Sequence, residues 1–286
     1  MVKYKNRNLC SLKPLLSIAV ATLLVFTVLM VLTPALAAPN ENASDKAKSK
    51  AGFIPEHAVK ISESVYSLGN AKDHTGKVVE GFLFIDNKKS PAKPDGTPGN
   101  GNKKTKTGET STCYSLIAKG ASWKTTEPYM IGPGIDGTLT AASLDAWDSK
   151  VEFEIFGPEL KNENPNGPDS KSPDNKNEVM FDNLGSTNTI AYTITWGIFS
   201  GPPSQRELVE WDVVFNSDYT FGNADDIPGV MDYQNIATHE FGHAAGLGHP
   251  GDSCVDETMY AFASAGETKK RDLNAGDKAG INKLYG

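Results

Sequence analysis

Three of the chain's five histidines fall within eleven residues, in the stretch HEFGHAAGLGH from His239 to His249. His239 and His243 are four residues apart, so on a helix they lie on one face about one turn apart. The glycines that follow allow the chain to leave the helix and turn back, which brings His249 to the same point. Three neutral imidazoles suit zinc and leave a fourth coordination position open for a water molecule. We therefore expect one zinc ion bound by these three side chains.

Glu240 stands next to the first histidine, where its carboxylate can lie beside that water without coordinating the metal. Such a carboxylate can accept a proton from water and later donate it to a leaving amine. A lone H-E-x-x-H pattern also arises by chance on surface helices, but H-E-x-x-H-x-x-G-x-x-H fixes five positions. The fuller pattern favours a catalytic zinc site with Glu240 as the general base.

The histidine stretch resembles the metzincin clan of zinc peptidases, and within it the matrixin branch. Metzincins carry a methionine beneath the zinc shortly after the third histidine, and Met259 stands ten residues after His249. Outside such a motif, a methionine more often serves ordinary core packing. Residues 210–216 are similar to the strand before the catalytic helix of matrixins, and residues 273–286 are similar to their closing helix. The resemblance covers about residues 113–286.

The resemblance implies an α+β catalytic domain of the metzincin type, in which a mixed twisted sheet packs with a long active-site helix and a C-terminal helix. It also implies a zinc-dependent endopeptidase that hydrolyses peptide bonds of extracellular polypeptides. The alternative is a catalytically silent surface-binding protein that keeps the metzincin fold. The intact Glu240 argues against this alternative, because a silent site has no chemical need for that side chain.

Metzincin substrates lie extended along an edge strand of the sheet, where backbone hydrogen bonds hold them. The stretch 189–196 is rich in β-branched and aromatic residues and predicts a strand. Its candidate residues for the substrate edge are Ile190, Tyr192 and Ile194. An interior strand fits the same pattern equally well. The mostly apolar residues 260–263 predict one wall of a specificity pocket beside the zinc.

Two departures from the resemblance concern metals. Pro250 follows the third histidine, where matrixins usually carry serine, and resembles the serralysin branch, but the calcium repeats of that branch are absent. No histidine lies between His74 and His239, so the loop that holds a second, structural zinc in animal matrixins has no counterpart. Calcium is left open, although solvated loop carboxylates are the commoner explanation for each candidate. The candidates are Asp136, Asp212, Asp218, Asp225 and Asp226.

The P-R-C-G cysteine motif that blocks the zinc in animal matrixin precursors is absent. Cys113 could bind zinc in its place, since a thiolate is a good zinc ligand. A disulfide between Cys113 and Cys254 is the alternative that we favour. Cys10 lies in the N-terminal signal peptide predicted below. After export and removal of that peptide, Cys113 and Cys254 are the two remaining cysteines, and an oxidising compartment permits the bond.

The N-terminal residues 1–37 have the order of a secretory signal peptide. Four basic residues precede an apolar run over 15–32, and the small-residue pattern Ala35-Leu36-Ala37 follows. We expect cleavage after Ala37 and secretion. A retained membrane anchor is the competing interpretation, because about 18 apolar residues can span a bilayer. The chain carries a net charge of −7, and loss of the basic leader makes it more acidic, which argues against nucleic acid or anionic membranes as partners.

The remaining sequence divides by composition. Residues 38–52 are polar and predict a disordered mature N-terminus. Residues 53–85 contain a predicted strand but are too few for an independent core, so they pack on something larger or act as a propeptide. Residues 86–112 have the Lys, Pro, Gly and Asn content of a flexible linker. Residues 113–286 then form the catalytic domain, expected to be a monomer, in which strict alternation over residues 151–156 predicts a half-buried strand.

Overall fold

Nine strands form one mixed sheet in the part of the chain that the structure describes. The structure is a computed structural model that describes residues 52–89, 112–185 and 188–286, all within one compact unit. The predicted signal peptide, nearly all of the predicted disordered N-terminus and most of the predicted linker lie outside these ranges. The described strands are β1 (Val59–Lys60), β2 (Val65–Lys72), β3 (Val78–Lys88), β4 (Ser115–Leu116), β5 (Glu127–Ile131), β6 (Phe156–Glu159), β7 (Glu178–Asp182), β8 (Thr189–Ile198), β9 (Glu207–Asn216), β10 (Phe221–Gly222), β11 (Met231–Asp232), β12 (Leu247–Gly248) and β13 (Phe262–Ala263). The described α-helices are α1 (Gly137–Asp148), α2 (Tyr233–Ala244) and α3 (Ala275–Tyr285), and short 3₁₀ turns occupy Pro203–Gln205 and Lys269–Arg271.

The strand order across the main sheet is β1-β2-β3-β8-β9-β7-β5-β6, and β13 adds to β3. The strands β9, β7, β5 and β6 run parallel to one another, whereas β8 is antiparallel to both β9 and β3. Two parallel neighbours need a crossover connection, and α1 supplies it between β5 and β6. The fold is therefore mixed α+β, as the sequence predicts. The resemblance implies a long helix at the histidines, but α2 has twelve residues, the same length as α1.

The core lies on both faces of this sheet. On one face, α2 packs against α1 and the sheet around Trp147, Trp211 and Phe241, none of which is exposed. The indole N–H of Trp147 donates to the carbonyl of Thr238 at 2.8 Å, which fixes α1 to α2. A second apolar cluster includes Trp196 of β8. Because successive side chains of a strand point to opposite faces, β8 contributes to both layers.

Helices α2 and α3 each have a carboxylate at their start that accepts a backbone N–H. The carboxylate of Asp232 accepts the N–H of Asn235 at 2.9 Å and begins α2. The same carboxylate binds the guanidinium of Arg271, so the start of α2 is tied to the segment that leads to α3. Helix α3 begins where Asp277 accepts the N–H of Asn274 at 2.9 Å. Loss of such a cap costs about 1 kcal/mol.

Two boundaries differ from the sequence prediction. Residues 151–155 form no strand, and β6 begins only at Phe156. The reason is local: the carboxylate of Asp148 at the end of α1 accepts the N–H of Ile155 at 2.8 Å, so the alternating stretch bends around the helix end. The strand β3 runs to Lys88, three residues into the segment predicted as linker.

In the described ranges, no helix combines the length and the apolar character needed to cross a membrane. The apolar run over residues 15–32 is outside those ranges, so its two interpretations stay predictions.

Candidate metal centre

The three histidines predicted as ligands meet at one point. Helix α2 carries His239 and His243, and the chain reverses at Gly246, whose φ of +98° lies in the left-handed region. A Cβ at Gly246 would stand 2.8 Å from the carbonyl oxygen of Ala121, so the turn requires glycine. The turn returns His249, whose Nε2 lies 3.2 Å from Nε2 of His239 and 3.0 Å from Nε2 of His243.

This convergence fits a zinc ion. Nitrogens bound tetrahedrally to zinc at about 2.0–2.1 Å lie about 3.3 Å apart, close to the spacing of these Nε2 atoms. The Nδ1 atom of His239 contacts the carbonyl of Thr258 at 2.7 Å, and Nδ1 of His243 contacts that of Leu247 at 2.8 Å. A carbonyl only accepts, so both Nδ1 atoms carry the proton and both Nε2 atoms present a lone pair. Burial lowers the pKa of His243 to about 3, which keeps that ring neutral.

Glu240 lies beside the histidines and is completely buried. Its Oε2 accepts a hydrogen bond from the hydroxyl of Thr193 on β8 at 2.5 Å. Its Oε1 has no donor among the residues that the structure describes. Burial, and then the nearby carboxylate of Asp86, raise the pKa of Glu240 well above its ordinary value. One oxygen of this carboxylate is therefore held in place while the other is available to a bound molecule.

Met259 packs directly against α2. A Cβ at Gly242 would stand 2.1 Å from the sulfur of Met259, so the missing side chain makes room for it. The carboxylate of Asp277 at the start of α3 accepts the N–H of Thr258 at 2.7 Å and that of Met259 at 3.1 Å. Helix α3 thus holds the segment that contains Met259 against α2.

The two cysteines of the main domain form a disulfide, Cys113–Cys254, across a sequence separation of 141 residues. This is the pairing that the sequence favours, and it leaves no thiolate at Cys113 to bind zinc. Cys254 follows His249 by five residues, so the bond ties the loop after the third histidine to the start of the domain.

Residues 173–286 match the sequence profile of the Peptidase_M10 family, the matrixins. This part of the chain is matrixin-like. The chain is 44% identical over 66 residues to metalloendoproteinase 1-MMP of Arabidopsis thaliana, and this match covers 22% of this chain and 17% of that protein. It is 40% identical over 57 residues to metalloendoproteinase 4-MMP of the same plant, and that match covers 20% of this chain and 16% of the plant protein. The chain thus spans about a sixth of the length of these curated relatives.

The strand expected to hold substrate along the matrixin-like sheet is not at its edge in this chain. Strand β8, which contains Ile190, Tyr192 and Ile194, pairs with β9 on one side and with β3 on the other. The end of β3 also pairs in parallel with β13, where Phe262 lies opposite Asn87. Strand β3 therefore fills the space between the expected substrate strand and the expected pocket wall.

The N-terminal segment, residues 52–89, touches the histidines directly. The ring of Phe84 stacks on the imidazole of His243 with centroids 4.3 Å apart. The hydroxyl of Ser64 lies 3.0 Å from Nδ1 of His249. A cavity of about 620 Å³ beside His249 is lined from both the N-terminal segment and the matrixin-like part.

Asp86 and Lys270 complete this site, and sequence reasoning missed both. Asp86 is completely buried, and neither of its carboxylate oxygens has a donor among the described residues. One of its oxygens lies within 4.8 Å of a ring nitrogen of His239 and a carboxylate oxygen of Glu240. Lys270 is also fully buried, with Nζ 3.5 Å from Nδ1 of His239. Burial lowers the pKa of this ammonium.

The acidic residues considered for calcium are distributed over the fold. Asp136 caps α1 by accepting the N–H of Thr138 at 2.9 Å. Three other candidates accept a hydrogen bond from a side-chain amide or a guanidinium. The pairs are Asp218 with Asn183, Asp225 with Arg271, and Asp226 with Asn223. Only Asp212, among the five candidates, lies in a buried group of carboxylates.

Proposed function

We propose that the chain is an exported zinc endopeptidase of the matrixin type, which acts on extracellular polypeptides as a monomer. The observation that carries this proposal is the convergence of the Nε2 atoms of His239, His243 and His249, with Glu240 beside them. The matrixin match over residues 173–286 and the names of the plant relatives support it. Met259, buried against the catalytic helix, takes the part of the methionine that the metzincin resemblance implies.

The reaction follows from the roles of these side chains. When bound, zinc supplies a Lewis acid that polarises the scissile carbonyl and lowers the pKa of a bound water to about 7. The free Oε1 of Glu240 accepts the proton of the attacking water and then donates it to the departing nitrogen. The hydroxyl of Thr193 holds the other oxygen of Glu240, which keeps the carboxylate aimed at the substrate. No side chain needs to form a covalent bond with the substrate.

The test is digestion of casein or gelatin by purified, mature protein, with and without a chelator, together with metal analysis. Glu240→Ala should retain one zinc per chain and lose activity by about 10²–10⁴-fold, the usual contribution of a general base. Glu163→Gln, an exposed change in a loop, is the matched control and should leave activity intact. A fully active Glu240→Ala protein would disprove the mechanism, and wild-type protein without zinc would disprove the ligand assignment. Zinc-loaded wild type that cleaves no polypeptide would support the silent surface-binding alternative.

The N-terminal segment acts in this proposal as an inhibitory propeptide. Strand β3 pairs with β8 from Glu80 to Asn87, where an extended substrate would add to the sheet. Phe84 covers His243, and a carboxylate oxygen of Asp86 lies within 4.8 Å of a ring nitrogen of His239 and of a carboxylate oxygen of Glu240. The segment would therefore exclude substrate both from the sheet and from the histidines.

The mature N-terminus of active, secreted protein tests both the signal and the propeptide. We expect the precursor to begin at Ala38 and the active form to begin after Lys88. Phe84→Ala should speed the removal of zinc by a chelator in the precursor because it uncovers His243, while Glu56→Gln, an exposed change in the same segment, should not. Active protein that still begins at residue 38 would show that the segment is not an inhibitor.

A further inference from the structure

Lys270 is a buried cation without an ionic partner beside the histidines. Its side chain is 0% exposed, and none of the ion pairs of the described residues includes it. Its Nζ donates to the carbonyl of Tyr260. The other polar neighbour of Nζ is Nδ1 of His239 at 3.5 Å, which donates its own proton to the carbonyl of Thr258. Lysine is almost never fully buried unless it is paired, so an anion is expected close to this ammonium.

The anion that the N-terminal segment supplies is Asp86. An oxygen of Asp86 lies within 4.8 Å of a ring nitrogen of His239, and Nζ of Lys270 lies against the same ring. Neither oxygen of Asp86 has a donor among the described residues. Burial raises the pKa of Asp86 to about 7, and the attraction of the Lys270 ammonium opposes this rise. Each of these two buried groups thus provides the opposite charge that the other lacks.

The other two carboxylates that attract Lys270 have different partners. Glu240 is committed to the proposed proton transfer, and Glu267 lies 3.9 Å from the ammonium of Lys269. Removal of the N-terminal segment, which the proposed function requires, takes Asp86 away and leaves the Lys270 ammonium without it. A buried charge that has lost its partner is costly, so the emptied site favours an incoming carboxylate.

Asn235 supplies a second donor to the same region. It lies four residues before His239, so the two side chains share one face of α2. Its Oδ1 accepts the backbone N–H of Lys270 at 2.7 Å, and its Nδ2 is buried without an acceptor among the described residues. A carboxylate has two oxygens that accept hydrogen bonds, and an ammonium and an amide can each donate to one of them.

Strand β3 indicates where the carboxylate of a substrate lies. It pairs antiparallel with β8, to which an extended substrate adds once β3 is removed. Phe84 and Asp86 are two residues apart on β3, so both side chains face the histidines. Phe84 stacks on His243, whereas Asp86 lies beside Glu240. A substrate that runs in the direction of β3 therefore passes His243 first and then places a side chain beside Glu240.

We propose that Lys270 is a specificity-determining residue that selects an aspartate or a glutamate directly after the scissile bond. In the proposed reaction Glu240 protonates the departing nitrogen, so the residue that supplies this nitrogen lies where Asp86 lies in the precursor. Its carboxylate replaces that of Asp86 and accepts charge-assisted hydrogen bonds from Lys270 and an amide bond from Asn235. The inference rests on the proposed peptidase function and names its substrate class, which is polypeptides cut before an acidic residue.

The test begins with the sites that the protein cuts. Protein matured from the full chain digests casein, and mass spectrometry should find Asp or Glu after most cuts. A cut peptide remade with Glu or Gln at that position should show a kcat/KM at least about tenfold higher with Glu. Zinc-dependent digestion of casein with no difference between the two peptides would overturn the inference and leave the proposed peptidase standing. Zinc-loaded protein that cuts neither casein nor peptide would overturn both.

Variants assign the preference to Lys270. Lys270→Met removes the charge and keeps a long side chain, so kcat/KM for the Glu peptide should fall about tenfold or more, to that of the Gln peptide. Its zinc content should be unchanged. Lys278→Met, at an exposed lysine of α3, is the matched control and should keep the preference. A Lys270→Met protein that still prefers the Glu peptide would overturn the assignment. If this variant does not fold, Lys270→Arg, which retains the charge, should retain the preference, and its loss there would overturn the assignment.

A second pair of peptides identifies the source of the carboxylate. Both end one residue after the cut with a neutral side chain, one as the free acid and one as the amide. We expect equal kcat/KM for the two, because Lys270 binds a side-chain carboxylate. A preference for the free acid, without a preference for Glu over Gln in the longer peptides, would show that Lys270 binds the chain terminus and would overturn the proposal.

Discussion

The three histidines and a group of buried carboxylates satisfy their atoms in opposite ways. We call Asp169, Asp174, Glu178, Glu210 and Asp212, on the β6–β7 loop, β7 and β9, the acid cluster. Each histidine Nδ1 has a partner, such as Thr258 for His239, and the Nε2 atoms converge on one another. In the acid cluster, four oxygens are buried without a donor among the described residues. Neutral imidazoles can be buried at modest cost without a metal, whereas anions cannot. Loss of zinc should therefore abolish activity and spare the fold, while ionisation of the acid cluster should weaken the fold.

The largest expected effect comes from removing a histidine ligand. His243→Ala should lose zinc and reduce peptidase activity by about 10³-fold or more, because both the metal chemistry and the proton transfer depend on the site. Metal analysis and casein digestion of the mature variant measure the two quantities. A His243→Ala protein that keeps its zinc and its activity would contradict the ligand assignment.

The disulfide stabilises the histidine side of this comparison. The bond Cys113–Cys254 ties the loop after His249 to the start of the domain. Replacing both cysteines with alanine should lower the free energy of unfolding by about 2–5 kcal/mol, as expected for a bond that closes a long loop. Urea unfolding of the parent and of the double variant measures the loss. A change below about 1 kcal/mol would mean that packing alone holds this side.

The free energy of unfolding of the metal-free protein should depend on pH in opposite directions at the two sites. Burial lowers the pKa of His243 in the folded chain, so its contribution to stability is lost as the pH falls below 6.5. Burial raises the pKa of Glu210 from 4.5 to about 9, so the folded state holds a proton that the unfolded chain releases. Its contribution is complete below pH 4.5 and is lost as the pH rises toward about 9.

Between about pH 7 and pH 9, the metal-free protein should lose roughly 1.4 kcal/mol of stability per pH unit for each such proton. Thermal unfolding across this range measures the slope. Glu210→Gln cannot titrate and should flatten it. A parent and a Glu210→Gln variant with the same slope would show that Glu210 takes up no extra proton in the folded state.

The two sites also differ in how far the sequence reveals them. The proposed zinc ligands lie within eleven residues and the spacing of His239 and His243 follows from the geometry of one helix, so these two could be placed without a structure. The acid cluster combines a loop with two strands that are distant in sequence. Its only local signal is the pair Glu210 and Asp212, which point to the same face of an otherwise buried strand.

Non-local pairing explains the other differences. The composition of residues 189–196 predicts β8, but no feature of that stretch reveals that β3 lies beside it, over a hundred residues earlier in the chain. Asp86 was assigned to a linker because the polar residues after it dominate the composition. The strand expected over residues 151–156 failed because one carboxylate, Asp148, bends the chain, an effect that alternation does not include.

The smallest expected effect concerns the hydrogen bond that the N-terminal segment makes to a histidine through Ser64. Ser64 contacts Nδ1 of His249 at 3.0 Å, whereas His239 and His243 use carbonyls of the matrixin-like part itself. Ser64→Ala in the precursor should weaken zinc binding by roughly tenfold or less, since one hydrogen bond contributes about 1 kcal/mol. Competition with a chromogenic chelator measures the affinity.

The same substitution should have no effect once the segment is removed, because the mature site never contains Ser64. Ser67→Ala, three residues along the chain and without a contact to the histidines, is the control. A weakened precursor with an unchanged mature enzyme would show that the propeptide helps to orient His249. Equal zinc affinity in parent and Ser64→Ala precursors would mean that the ring of His249 is oriented without the hydroxyl of Ser64.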